Sequence, residues 1–347
     1  MSVELILGNS NPRFSGVTST MLQVLKEQQK YLNLAVMGKH HLPTDAPSLS
    51  FLEVAKLARA PLSDGRWRVF HARRNNEMIQ ALVLKHVFCA KIKIVFTSTA
   101  QRYHSGFTRW LMGKMDAVIS TCAAAASYLN SPPAAIIPHG IDKNFYHPPT
   151  NRAAAWRALD LPGKYGIGIF GRVRAQKGVD VLIESGLPLL KIYPDFTLVI
   201  CGEITPDNEK FVAQQKQKIA SAGLSERVVF LGKQPFARVP ELFRAMSIVA
   251  ALSRNEGFGL TVLEAMSSGT AVLASHAGAW PEIIEEGTEG YTAPCGDIAA
   301  TRAQLEKLMR EPELLPIMGD RGRKKIEQLY TVEREAKALC DFFKTLM

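Results

Sequence analysis

The sequence predicts an α/β protein of two domains, each a parallel sheet covered on both faces by helices. Three observations carry this reading. The chain has 347 residues, more than the roughly 250–300 that a single core usually organises. Short β-rich runs alternate with longer helix-compatible segments from end to end. Many of those runs are continuously apolar, such as Phe196-Thr197-Leu198-Val199-Ile200 and Ser247-Ile248-Val249-Ala250-Ala251-Leu252, which is the pattern of a strand buried on both faces.

Taken in order, the strands of the first half are expected at 3–8, 33–38, 67–71, 92–98, 116–121 and 135–138. Those of the second half are expected at 165–171, 196–202, 227–232, 247–252, 270–275 and 290–293. About six per half gives two Rossmann-like domains, 1–147 and 148–330. The linker is expected between Pro138 and Thr150, a Pro- and Gly-containing stretch that ends at Pro148-Pro149. From Thr331 the chain reads as a final helix with an apolar stripe of Val332, Ala336, Leu339, Phe342 and Phe343, expected to pack back on the first domain.

Composition narrows the class. With 47% hydrophobic residues the chain can bury sizeable cores and is not a disordered one. No apolar run approaches the roughly 20 residues that span a bilayer. Val3-Glu4-Leu5-Ile6-Leu7-Gly8 reads as a first strand without a basic n-region, so no signal peptide is expected. Five scattered cysteines, Cys89, Cys122, Cys201, Cys295 and Cys340, form no CxxC pair; this fits a reducing cytoplasm and argues against structural zinc. The net charge of +10 is uneven. Residues 1–147 hold 17 Lys and Arg against 8 Asp and Glu, a balance of +9, whereas 148–347 hold 25 against 24. An excess confined to one half suggests either an anionic partner for that half or a solubility surface.

In open parallel sheets, ligands bind outside the carboxyl ends of the strands, and two such domains facing one another would make a central cleft. The most informative stretch is Asn255-Glu256-Gly257-Phe258-Gly259-Leu260-Thr261-Val262-Leu263-Glu264. Its glycines allow close backbone approach. The N–H groups of such a turn, and of the helix it opens, favour an anion such as a phosphate. Glu256 on the loop and Glu264 within the helix could accept hydrogen bonds from hydroxyls of one ligand, and a phosphate beside hydroxyl acceptors suits a nucleotide sugar. A plain bend with solvated glutamates is the alternative. Gly171-Arg172-Val173-Arg174-Ala175-Gln176-Lys177-Gly178 follows a strand. Arg172 offers bidentate donation to a diphosphate and Lys177 a point charge, or the loop is simply basic and solvated; its spacing is not that of a Walker A loop. Gly202-Glu203, Gly232-Lys233 and Ser275-His276-Ala277-Gly278-Ala279-Trp280-Pro281-Glu282 close other strands of this half.

In combination, Glu256-x7-Glu264, Gly171-Arg172-x4-Lys177-Gly178, Ile137-Pro138-His139-Gly140-Ile141-Asp142 and the Gly278…Pro281-Glu282 turn resemble retaining GT-B glycosyltransferases of family 4. The resemblance covers nearly the whole chain. It implies that Arg172 and Lys177 hold the donor diphosphate, that Glu256 contacts hydroxyls of the transferred sugar and that Glu264 contacts the ribose. It implies that Gly171, Gly202, Gly257, Phe258, Gly259 and Leu260 border sugar and phosphates, with Thr261 at the helix N-terminus, and that Gly232 and Lys233 line the base pocket. Asn11-Pro12-Arg13-Phe14-Ser15-Gly16-Val17 looks like the first-domain glycine loop, with Gly16 as its key position. No metal and no cofactor are implied beyond the nucleotide-sugar donor, and no Asp-x-Asp pair stands in a suitable loop.

Many relatives carry a His directly after the fourth strand. Here that place runs Thr97-Ser98-Thr99-Ala100-Gln101-Arg102-Tyr103-His104, so His104, Arg102 and His71 are the substitutes considered. Arg13, His71, Arg73, Arg74, Arg102 and His104 form the acceptor set. Ser105-Gly106-Phe107-Thr108-Arg109-Trp110-Leu111-Met112-Gly113-Lys114 mixes aromatic, apolar and basic groups and reads either as contact with an anionic membrane or as an ordinary helix with a charged edge. The phrases Phe14–Thr20, Phe70–Glu77 and Thr97–Arg102 resemble lipopolysaccharide core mannosyltransferases of alphaproteobacterial type. That narrower likeness implies GDP-mannose as donor and an anionic glycolipid, a Kdo-bearing lipid A precursor, as acceptor. A cytoplasmic enzyme peripheral to the inner membrane face is expected. The alternatives are transfer from a UDP-sugar to another glycolipid or polysaccharide precursor, a sugar-nucleotide 2-epimerase, and a non-catalytic nucleotide-binding protein. No nucleic-acid-binding motif accounts for the charge.

Overall fold

The computed structural model describes residues 2–12 and 16–347. The chain divides into two compact units, one of residues 1–140 with 331–347 and one of residues 141–330.

The first unit is built on strands β1 (Leu5–Gly8), β2 (Leu34–Met37), β3 (Ser48–Leu49), β4 (Arg68–Ala72), β5 (Ile92–Ser98), β6 (Ala117–Ser120) and β7 (Ala135–Ile136). They form one sheet in the order β3-β2-β1-β4-β5-β6-β7, and every pairing is parallel. Side chains alternate across a strand, and here both faces are covered. Leu5, Leu7, Val36, Val69, Val95 and Ile119 pack on one face with Met21, Leu25, Leu339 and Phe343. Ile6, Phe70 and Ile94 pack on the other with Met78, Ala81 and Leu84. This two-sided burial is why the strands read as unbroken apolar runs.

The final helix, Val332–Lys344, belongs to this unit and lies against helix Gly16–Gln28. Its buried residues include Val332, Ala336, Leu339 and Phe343, together with Glu335 and Cys340. Glu335 is buried because it has partners: His139 Nδ1 lies 2.7 Å from its Oε1, and the Gly140 N–H donates to its Oε2 at 2.8 Å.

The second unit holds β8 (Tyr165–Phe170), β9 (Phe196–Cys201), β10 (Val228–Gly232), β11 (Ile248–Ala251), β12 (Ala271–Ser275) and β13 (Gly290–Ala293). The order is β10-β9-β8-β11-β12-β13, again with every pairing parallel. Chain order reverses beside β1 in the first sheet and beside β8 in the second, which puts a topological switch point between β1 and β4 and another between β8 and β11.

Two differences from the sequence reading have physical causes. The division falls after Gly140 rather than after His147. Residues 141–147 carry carbonyls that the second unit needs: Arg323 Nη1 donates to Lys143 O at 3.0 Å and to Tyr146 O at 2.9 Å, and Ser267 Oγ donates to Tyr146 O at 2.7 Å. The extra edge strand β3 is two residues long, too short to leave a hydrophobic period.

Phe343 is fully buried in the first unit's core. Phe343→Ala is expected to cost about 3–5 kcal/mol and to lower one calorimetric transition by about 6 °C or more. An unshifted thermogram would mean that the final helix adds little to that core.

Candidate active site

The loops after β8, β9, β10 and β11 meet at the carboxyl edge of the second sheet. The Gly171 N–H donates to Cys201 O at 2.9 Å, and the Gly202 N–H to Gly232 O at 3.0 Å. A Cβ on Gly202 would lie 1.8 Å from Gly171 O, so only glycine lets these backbones approach so closely. Beside them is a cavity of about 300 Å³, lined among others by Gly171, Arg172, Lys177, Lys233, Thr261 and Glu264.

Lys177 ends the 3-10 turn Ala175–Lys177. Its Nζ pairs with Glu256 Oε1, and Ser253 Oγ donates to the same oxygen at 2.7 Å. The loop after β8 is thus tied to the loop after β11. Arg254 adds a second tie through Asp180, at 2.7 Å, and the Arg254 N–H a third through Gln176 O, at 2.8 Å. Arg172 is exposed at the cavity, and Lys233 reaches Glu203 at 3.5 Å.

Phe258 is buried at the centre of the Gly-Phe-Gly turn. Its carbonyl accepts the Ala279 N–H at 2.9 Å, and Gly259 O accepts Trp280 Nε1–H at 2.8 Å. Gly259 has φ +87°, and a Cβ there would lie 2.5 Å from Trp280 Nε1. The turn is therefore clamped from below, and helix Leu260–Ser267 starts from it. The first N–H groups of that helix have no intrahelical acceptor, and Thr261 lines the cavity. This makes an anion seat next to two cations.

Glu264 faces the same cavity and accepts from Tyr146 OH at 3.1 Å. Burial pushes its carboxyl up to about 7, against the opposing Tyr146 hydrogen bond and Lys177 charge. Burial, and then Glu264, raise the Tyr146 phenol well beyond its usual range, so it stays a donor.

In the first unit, His71 is the next-to-last residue of β4 and shares a 2.6 Å hydrogen bond with Thr97 of β5. Burial, with Arg73 and His139 adding to it, holds its ring well below the usual histidine range. Its Nδ1 and the Arg73 Nη1 are buried without hydrogen-bond partners among the described residues. Burial lowers Arg73 to about 10. His104 shares a 3.0 Å hydrogen bond with Ser98 Oγ and is lowered by burial and by Arg102; Arg102 is exposed. Gly16 is the exposed first residue of its helix, and Arg13 lies outside the described residues. Arg74 is not a surface cation. It pairs with buried Glu77 at 3.0 Å and donates to Thr18 at 2.9 Å, because Glu77, three residues on, would otherwise be an unpaired buried charge.

A family profile for glycosyl transferases group 1 matches residues 154–325. The lipopolysaccharide core biosynthesis mannosyltransferase LpcC of Rhizobium leguminosarum bv. viciae is 38% identical over 346 residues, covering 99% of this chain and 97% of that protein. The chain belongs to the group 1 glycosyltransferases. LpsB of Rhizobium meliloti (strain 1021), also named a lipopolysaccharide core biosynthesis mannosyltransferase, is 37% identical over 99% of this chain and 98% of its own length. The crystal structure of Anabaena Alr3699/HepE in complex with UDP aligns with a TM-score of 0.83 over the full length of both chains at 18% identity. That likeness gives the transferase the GT-B fold.

Of the residues picked from the sequence, the second unit of this transferase brings Gly171, Arg172, Lys177, Gly202, Lys233, Thr261 and Glu264 to one cavity and joins Glu256 to Lys177. Sequence reasoning missed Tyr146, which sat in the expected linker, and Ser253. A serine directly after a buried strand was the available signal for Ser253; Tyr146 left none. Among the described residues, no group of three His, Cys, Asp or Glu could hold a metal ion.

The folded carboxyl of Glu264 titrates near 7 and its ordinary value is 4.5. Its contribution to stability is therefore fully present below the lower value and is lost as pH rises through the upper one. Between about pH 5 and about pH 8 the melting temperature of Glu264→Gln should gain about 5–10 °C on that of the wild type. Parallel melting curves across that window would contradict the shift.

Proposed function

We propose that the chain is a retaining mannosyltransferase that moves mannose from GDP-mannose onto a Kdo-bearing lipid A precursor of the lipopolysaccharide core, at the cytoplasmic membrane face. The observation that carries this reading is the cavity in which three basic side chains and a clamped helix N-terminus stand beside Glu264, with Glu256 held on Lys177. Relatives named for lipopolysaccharide core mannosyl transfer, matched over nearly their whole length, support the choice of sugar and acceptor.

The reaction breaks the bond from the anomeric carbon to the diphosphate and forms one to an acceptor hydroxyl. Negative charge grows on the leaving diphosphate. Arg172, Lys177 and the N–H groups at Leu260 and Thr261 are aimed where that charge develops, and such preorganised donors supply a large share of catalysis. Glu256 takes hydroxyls of the mannose and Glu264 those of the ribose. The acceptor attacks from the face the diphosphate leaves, and an oxygen of the leaving phosphate takes the acceptor proton. No protein nucleophile, metal or cofactor takes part in this reading. Arg73, Arg102 and His104, with Arg13 and His71, serve the anionic acceptor; Arg74 keeps its place on Glu77.

In a thermal-shift panel of GDP, UDP, ADP and their mannose, glucose, galactose and N-acetylglucosamine conjugates, GDP-mannose should give the largest shift, since a ligand that binds only the folded state stabilises it by mass action. A larger UDP-sugar shift would replace the donor and keep the site; a flat panel would remove the site.

Lys177→Ala removes a charge-assisted contact and is expected to slow transfer about 10²–10³-fold, measured as single-turnover release of GDP. Unchanged turnover would take Lys177 out of the reaction.

A further inference from the structure

Helix Gly106–Met112 of the first unit carries large apolar side chains that face solvent. Phe107 is 55% exposed and Trp110 57%. Their rings stack with centroids 6.1 Å apart, and the Lys114 ammonium lies 6.0 Å over the Trp110 ring. Tyr103, 79% exposed, meets Tyr128 edge-on with centroids 5.3 Å apart. Asn75 donates to Thr108 at 2.8 Å, which holds the neighbouring helix Asn75–His86 alongside and places exposed Ile79 on it. Solvent-facing aromatic rings in contact with one another are costly in water and mark an interaction surface.

The charges beside these rings are mostly cationic. Arg102, Arg109 and Lys114 are exposed. The nearby acid Asp116 is already engaged by Lys85 Nζ at 2.6 Å and by the Ile94 N–H at 2.7 Å. Behind the helix is a cavity of about 460 Å³ whose wall has an apolar part, from Met112, Met115, Val118 and Leu129, and a polar part, from His104, Arg109, Asp116 and Asn130. Exposed rings with a polar or cationic neighbour, exposed cations and a partly apolar recess together match the interfacial region of an anionic leaflet, where aromatic residues sit at headgroup depth and cations meet lipid phosphates.

We infer that Tyr103, Phe107 and Trp110, flanked by Arg102, Arg109 and Lys114, dock this unit on an anionic lipid bilayer, with the cavity behind the helix receiving an acyl chain. The inference rests on the membrane-face part of the proposed function and gives it a definite surface.

The test is sedimentation with vesicles of phosphatidylglycerol and phosphatidylethanolamine, against vesicles of phosphatidylcholine alone. The wild type should bind the first and not the second. Phe107→Ser with Trp110→Ser should raise the lipid concentration for half-binding about tenfold or more, as should Arg109→Glu with Lys114→Glu. Chain-brominated phosphatidylglycerol should quench wild-type tryptophan fluorescence, and Trp110→Phe should lose most of that quenching while still sedimenting. Equal sedimentation of wild type and the serine variant would overturn the inference, as would absence of binding by the wild type. A dimer in light scattering that the serine variant dissolves would reassign the surface to a second copy of the chain. Mannose transfer to detergent-dispersed acceptor, assayed in parallel, separates the two ideas. A serine variant that transfers normally but leaves the vesicles supports docking, whereas a wild type that binds vesicles and transfers nothing sinks the proposed function alone.

Discussion

The contact between Lys177 and Glu256 is the constraint on which the candidate site depends. The two side chains are 23% and 17% exposed, so each charge has given up most of its water. Removing one partner of such a pair leaves the other uncompensated, at a cost of about 3–5 kcal/mol when burial is deep. Together they hold the loop after β8 on the loop after β11, across the switch point of the second sheet. Ser253 on the shared oxygen and the Arg254–Asp180 pair repeat the tie. A ligand bearing both phosphate and hydroxyl groups can replace each half of the pair with a better partner, anion to lysine and hydroxyl to glutamate. The site is therefore held in shape by the groups that the proposed donor would engage.

How much of this was legible in the sequence follows from where each contact lies along the chain. Strands buried on both faces leave unbroken apolar runs, so the two sheets could be read directly. Loops that build a site from consecutive residues, such as 171–178 and 255–261, carry their glycines and charges side by side and were legible too. The Tyr146–Glu264 hydrogen bond joins residues 118 apart and has no local signature. The division differs from the expected boundary because Pro148-Pro149 lies inside the second unit, while the carbonyls of Lys143 and Tyr146 that commit 141–147 to it are bound by Arg323, far along the chain. The pairing of Arg74 with Glu77 was not legible for a different reason. A cation is visible in a sequence, but whether a buried acid has claimed it depends on packing, and the spacing of Glu77 was the only hint.

Burial also separates the roles of the basic groups in the first unit. His71 and His104 are both held below the ordinary histidine value, chiefly by desolvation. A ring held neutral at physiological pH can share a proton or a hydrogen bond, but it cannot contribute charge to bind an anion. Arg73, lowered only to about 10, keeps its charge at any pH at which the fold operates. An anionic acceptor group beside these side chains would thus be met by arginine, with the histidines left to orient hydroxyls. The same desolvation that disqualifies His71 as a cation makes its Nδ1, unpartnered among the described residues, a demanding neighbour, because a buried polar atom without a partner costs free energy until something supplies one. With the Arg73 Nη1 in the same condition, two of the first unit's unsatisfied polar atoms stand beside the carboxyl end of β4, next to the switch point of its sheet, where a parallel-sheet domain is built to receive a ligand.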